Sequence, residues 1–223
     1  MPSDSLRIDR VIRSGRRSIA LVVTEEAELL VRAPWHVPGS VLEDLVRSRS
    51  SWIVTKKEEA LRKKPVPRNF EEGESLPFLG REYPLASSVH GGKGIELTDM
   101  ITLPASVGCI REEIIAWYRE KAKIIIPEIC DHWSDLTGLN PLSVKITGAR
   151  TRWGSCSSRG RLNFTWRLVM APLDIVDYVV VHELVHLEIR NHSRSYWERV
   201  GSILPDYTDK RKWLKDHGRE LVL

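Results

Sequence analysis

The chain has 223 residues, 42% of them hydrophobic and 29% charged, with a formal net charge of +4; those proportions fit a globular fold and exclude a collagen-like or low-complexity one. No uncharged apolar run nears the roughly 18 residues that cross a bilayer, and Met1 to Arg7 lack the apolar core of a signal peptide, so no membrane partner is expected. Cys109, Cys130 and Cys156 are odd in number and scattered, which argues against a disulfide framework or a Cys-x-x-Cys metal site and predicts a cytoplasmic protein with reduced thiols.

Residues 1–70 hold 14 Lys and Arg against 9 Asp and Glu, while the remainder holds 20 against 21. The front of the chain is therefore basic. Arg13, Arg16, Arg17 and Arg62-Lys63-Lys64 are candidates for phosphate contact, so nucleic acid is carried as a candidate partner beside the commoner reading of such runs as a solvated face.

In chain order, Ile19, Leu21 and Val23 alternate, Glu25 to Glu28 turn, and Leu29 and Val31 resume the apolar face, predicting two or three strands over 6–33. Ser40 is expected to cap one long helix from Val41 to Lys64, burying Val41, Leu45, Trp52, Ile53 and Ala60, with Pro65-Val66-Pro67 ending it. Short strands are expected around Leu76–Leu85 and Ile95–Leu103, separated by a hairpin turn at Gly91-Gly92-Lys93-Gly94. No Gly-Lys-Ser/Thr follows that turn, so it is not read as a phosphate cradle. From Ile110 to Thr137 the spacing is helical, with Ile114, Tyr118, Ile125, Ile129, Trp133 and Leu136 as one stripe. Pro127 predicts a kink or two abutting helices, Gly138 the stop, and His132 packing or exposure rather than a metal role.

Leu142, Val144 and Ile146 alternate as a strand, and Arg150 to Cys156, a turn at Ser157 to Gly160, and Leu162 to Leu168 read as a hairpin. Pro172 and Asp174 suit the start of a helix that is apolar nearly all round from Ile175 to Leu187 and is expected to stop at Arg190-Asn191 through a left-handed Asn. Ser193 or Ser195 is expected to cap the next helix, with Ser195 to Glu198 matching a capping box and Trp197, Val200 and Ile203 facing inward, and Asp206 to His217 is the last. The fold class is α+β. Residues 1–108 are read as a β-rich basic lobe with a long helix, and 109–223 as a lobe with a hairpin sheet and a buried central helix.

That central helix carries His182-Glu183-Leu184-Val185-His186. A helix turns about 100° per residue, so residues four apart share a face and both imidazoles can reach one ion at about 2.0–2.1 Å. Glu183 lies beside that face, where it can take a proton from a water without ligating the ion. His-Glu-x-x-His is a metallopeptidase zinc signature for that reason. A catalytic zinc keeps three protein ligands, and His192 is the candidate third. Its spacing from His186 matches the long metzincin signature, but Ile189 stands where that signature has Gly, and no Met follows Met170, which excludes a metzincin. The candidate set is one Zn2+ on His182, His186 and His192, with Glu183 as catalytic base. Arg152, Tyr196 and Tyr207 are candidate donors to an oxyanion. Arg152 is equally a candidate to brace its strand by pairing with a carboxylate, and that strand can offer its edge to an extended peptide.

Arg152-Trp153-Gly154-Ser155-Cys156, the run Asp177 to His186, and Asn191-His192-Ser193 with Trp197 together resemble the YgjP-like metallopeptidase domain, most strongly over residues 140–210. Ala33-Pro34, Trp52-Ile53 and Leu79 to Tyr83 are similar more loosely. The resemblance implies a zincin-like α+β fold, zinc on the three histidines and Glu183 as general base. It also extends to SprT-like proteases, which share the Arg-Trp-Gly-Ser-Cys-type strand but place the third histidine further on. The function expected is a zinc-dependent hydrolase of peptide or protein substrates. One alternative is a metal-dependent nucleotide pyrophosphatase of the UTP type, an activity described for a family member. The other is a non-enzymatic module in which zinc, closed by Cys156, staples the fold.

Overall fold

The computed structural model describes residues 6–24, 26–62, 68–88, 94–104 and 109–223. It forms two compact units, Met1–Val66 and Pro67–Leu223. The glycine turn at 91–93 and the basic residues Lys63 and Lys64 lie outside the described residues.

The first unit holds strands β1 (Arg10–Ser14), β2 (Ala20–Val23) and β3 (Leu29–Pro34), followed by helices α1 (Gly39–Ser48) and α2 (Ser50–Arg62). β3 is central, antiparallel to β2 and parallel to β1. Leu29, Val31, Ala33, Leu42, Val46 and Ile53 form its core. The single helix expected here is two, broken at Arg49, whose φ of −110° and ψ of 18° leave the helical region. Leu42 and Val46 face the core in place of Val41 and Leu45, Trp52 is exposed, and Ile53 and Ala60 are buried as expected.

The second unit begins with β4 (Ser75–Phe78), β5 (Arg81–Ser87), β6 (Glu96–Leu97) and β7 (Ile101–Leu103), in the order β4-β5-β7-β6. Residues 68–104, placed by sequence with the basic lobe, thus supply Leu76, Phe78, Leu85, Ile101 and Leu103 to the larger core. Helix α3 runs unbroken from Ile110 to Thr137 with Pro127 inside it and ends at Gly138, whose φ of 76° is the left-handed cap expected. Its buried face is Ile114, Tyr118, Ala122, Ile126, Cys130 and Ser134, at intervals of four, with Trp117 beside it. Leu136 is exposed, and Ile125, Ile129 and Trp133 pack only at the margin.

Strands β8 (Ser143–Thr147), β9 (Gly154–Cys156) and β10 (Arg161–Thr165) make a second sheet in the order β8-β10-β9, with β9 at an edge. A 3-10 turn over Trp166–Met170 leads into helix α4 (Leu173–Val185), then come α5 (Arg194–Ile203) and α6 (Tyr207–His217). The tip of the β4–β5 hairpin seats the start of α4: Leu79 N–H donates to Val169 O at 2.8 Å. A Cβ on Gly80, whose φ is +81°, would lie 2.9 Å from Pro172 Cα. Only glycine fits that turn and that approach. α4 is buried on nearly every side, as its apolar sequence requires. Among the described residues no helix is long and apolar enough to cross a membrane.

Candidate metal centre and active site

α4 ends earlier than its sequence predicts. His186 is the C-cap, and one further turn follows in which Ile189 N–H donates to Val185 O at 3.0 Å. Asn191 is not left-handed; among the described residues other than glycine, positive φ occurs at Ala27, Phe70 and Leu79. Instead the Asn191 side-chain oxygen accepts the Ser193 N–H at 3.2 Å, a local turn that competes with a helical cap. Between these two turns the chain delivers His192 to the face carrying His182 and His186.

The ligating atoms of the three histidines lie within 4.8 Å of one another, and the set can hold one metal ion. His182 Nε2 and His192 Nε2 are 3.2 Å apart. Two nitrogens on a tetrahedral ion at 2.0–2.1 Å stand roughly 3.3 Å apart, so the spacing fits zinc. His186 Nδ1 is 3.0 Å from Ile189 O, which leaves its Nε2 free to ligate. His182 Nδ1 is buried with no partner among the described residues. Its ring is held by aromatic contacts, with Tyr178, Tyr196 and Trp197 centroids 5.9, 5.3 and 5.8 Å away. Burial, then the charges of His186, His192 and Arg211, push the His182 pKa down to about 3. His192 is lowered by the same kinds of cause, burial first. Both shifts favour the neutral imidazole, the form that can ligate a metal.

Glu183 is 5% exposed and is not one of the clustered groups. Burial raises its carboxyl to about 7, against the opposing charge of Arg152. Among the described residues nothing hydrogen-bonds it. Arg152 itself is exposed and close enough for its charge to be felt there. Of the two tyrosines considered as donors, Tyr196 has its hydroxyl committed to the backbone, while Tyr207 is half-buried and held through its ring. Tyr196 is fully buried, donates its hydroxyl to His182 O at 2.8 Å, and stacks on His186 at 4.6 Å between centroids. Tyr207 stacks on Trp197 at 5.5 Å, and Trp197 in turn on His192 at 5.5 Å. Cys156 stands outside the histidine cluster. Its Sγ is 3.8 Å from Arg190, whose guanidinium also donates to Ser157 O at 2.6 Å and Ser158 O at 3.1 Å. A closed structural site of the cysteine-containing kind thus lacks its fourth ligand among the described residues.

Arg211 escaped the sequence reading. It lies 4.5 Å over the Trp197 ring, has no carboxylate within ion-pair distance among the described residues, and lowers the pKa of two of the three histidines. In the run Asp209-Lys210-Arg211-Lys212 nothing in the sequence distinguishes it from the charged residues beside it; only its four-residue spacing from Tyr207 puts it on the same helix face. Charge segregation in the second sheet was also hidden by the near-neutral total. Between Asp135 and Asp174 the chain carries Lys145, Arg150, Arg152, Arg159, Arg161 and Arg167 and no acid. Arg167 donates to Gly148 O at 3.3 Å, and its pKa is lowered by burial and then by Arg150 and Arg119. A cleft of about 220 Å³ beside β9 is lined by Arg152, Ser155, Asn163, Thr147 and Thr165 among others.

Residues 17–217 match the family model described as YgjP-like, metallopeptidase domain. No curated protein gives a significant match. Among solved structures, the chain is similar to the metallopeptidase zymogen of Pyrococcus abyssi abylysin, at 20% identity and a TM-score of 0.39, over 44% of this chain and 100% of that one. With the family match running almost end to end, the chain belongs to the YgjP-like metallopeptidase domain family.

Proposed function

We propose that the protein is a zinc-dependent peptidase with His182, His186 and His192 as the ligands and Glu183 as the general base. The observation that carries this reading is the convergence of three imidazoles next in sequence to a buried carboxyl that, among the described residues, no side chain hydrogen-bonds. When bound, zinc would supply Lewis acidity, polarising the scissile carbonyl and acidifying a water. The chain's own residues do the rest. Glu183, with its pKa near neutrality, takes the proton from the attacking water and returns it to the leaving amine. The edge strand β9 is open to pair with an extended substrate, and the polar cleft beside it can receive a side chain. Arg152 is the retained candidate for stabilising negative charge on the attacked carbonyl, since its cation already acts on Glu183. Metal analysis with peptide-library profiling of wild type and Glu183→Gln tests the reading. One zinc per chain and cleavage lost in Glu183→Gln are expected; full activity in that variant would sink it.

A second reading changes the substrate to a nucleotide phosphoanhydride. It is favoured by the guanidinium groups of Arg119, Arg150 and Arg167, drawn together about residues 148–150 with no acidic counter-ion within ion-pair distance among the described residues. Pyrophosphate released from UTP by wild type, and not by Glu183→Gln or Arg150→Ala, would select it over peptide cleavage.

A further inference from the structure

The glycine of the Arg-Trp-Gly-Ser-Cys run has no conformational reason to be glycine. Gly154 lies in β9, paired opposite Phe164, and it is not among the glycines with positive φ. In a strand interior such a residue forgoes side-chain packing and adds freedom to the unfolded chain. The space where its Cβ would stand is taken. A Cβ built there would lie 2.5 Å from Glu183 Cγ, 2.6 Å from Oε1 and 2.8 Å from Cδ. Non-bonded carbons sit at 3.5–4.0 Å, so the two cannot coexist without movement.

What would move is decided by the surroundings. β9 is held from behind: Thr165 N–H donates to Trp153 O at 2.9 Å, and the indole of Trp153 abuts Gly218, where an added Cβ would lie 2.9 Å from the ring. Phe164, opposite Gly154, is fully buried. α4 is equally fixed by burial along its length. The Glu183 side chain is the movable part, because among the described residues no hydrogen bond or ion pair anchors its carboxylate.

We propose that Gly154 is a positioning residue, its bare backbone forming the seat that holds the Glu183 carboxylate beside the histidine cluster. The seat is steric rather than hydrogen-bonded, which leaves both carboxylate oxygens without a competing donor. This rests on the reading of Glu183 as general base, and the test separates the two. Gly154→Ala, Glu183→Ala and the double variant are made in the full chain. Thermal midpoint, zinc content and, on a peptide substrate from the profiling screen, kcat and KM are measured.

Gly154→Ala is expected to keep one zinc, to lower kcat by roughly 10²-fold with KM little changed, and to lower the thermal midpoint. In the Glu183→Ala background the same substitution is expected to leave the midpoint unchanged or raised, because the carboxylate it collides with is gone. Equal destabilisation in both backgrounds would overturn the seat, whatever the enzyme's activity. A midpoint coupling as expected, together with wild-type kcat in Gly154→Ala and in Glu183→Gln, would leave the steric contact standing and overturn the general-base reading and, with it, the positioning role of Gly154.

Discussion

His186 Nδ1 meets the carbonyl oxygen of Ile189 at 3.0 Å, one turn beyond the end of α4. With the N–H donating to that carbonyl, the lone pair is confined to Nε2, the nitrogen left to ligate. The acceptor is backbone, so this hydrogen bond does not depend on the side chain at 189, and the Ile189 side chain serves the core instead.

The three histidines form a set that could chelate one metal ion, His182 on α4, His186 at its C-cap and His192 from the loop that follows. Replacing His192 by Ala is expected to weaken zinc binding by more than the roughly 10–100-fold that loss of a ligand's hydrogen-bond partner costs. The fold should remain, since His192 is exposed. Chelator competition followed by circular dichroism checks both halves.

Stability of the metal-free protein should carry the mark of Glu183. Its carboxyl is raised from 4.5 to about 7, so it binds a proton in the folded state over a range where the unfolded chain has lost it. The stabilising contribution is complete below about pH 4.5 and is lost as pH rises through about 7, on the order of 3 kcal/mol in all. Glu183→Gln in EDTA should therefore gain stability relative to wild type on going from pH 5 to pH 8. Urea unfolding at the two pH values gives the difference directly.

Arg211 opposes positive charge at the histidines. A divalent ion feels that charge more than a proton does. Arg211→Glu should tighten zinc binding at low ionic strength, with the gain shrinking as salt rises, because the Debye length is about 8 Å at 0.15 M. Competition titrations at low and high salt would show it; an affinity unchanged at low salt would refute the effect.

Tyr196→Phe separates bracing from catalysis. The hydroxyl is committed to His182 O at 2.8 Å, so its loss should cost about 1 kcal/mol of stability with zinc retained. A donor to the reacting oxyanion would instead cost roughly 10²–10³ in kcat. Unfolding and steady-state kinetics on the same preparation distinguish the two.

What the chain announced in advance was local. His182 and His186 were legible because helical period and ligand chemistry need only five residues, and β8 and β10 because alternation needs only their own side chains. α3 was legible as a helix but not in its facing. Hydropathy favours Ile125, Ile129 and Leu136, whereas close packing selects the small Ala122, Cys130 and Ser134 on the inner face. Of the two caps expected for α5, Ser193 holds the position, and the box from Ser195 to Glu198 gives way to an Arg194–Glu198 pair at 2.7 Å. The parallel pairings β1–β3, β5–β7 and β8–β10 are set by packing over distance, which no window of sequence contains. Gly154 and Arg211 belong to the same class: each has meaning only through what faces it.

Lys210 is 9% exposed, with its ammonium 2.6 Å from Asp206 and 3.2 Å from Asp174. Asp174 lies in the first turn of α4, so this electrostatic latch fixes the azimuth of α6 against the helix bearing the histidines. Rolling α6 would drag the ammonium away from Asp174, while Asp206, at the N-cap of the same helix, would travel with it. The guanidinium of residue 211 thus has its bearing dictated by an ion pair in which it takes no part.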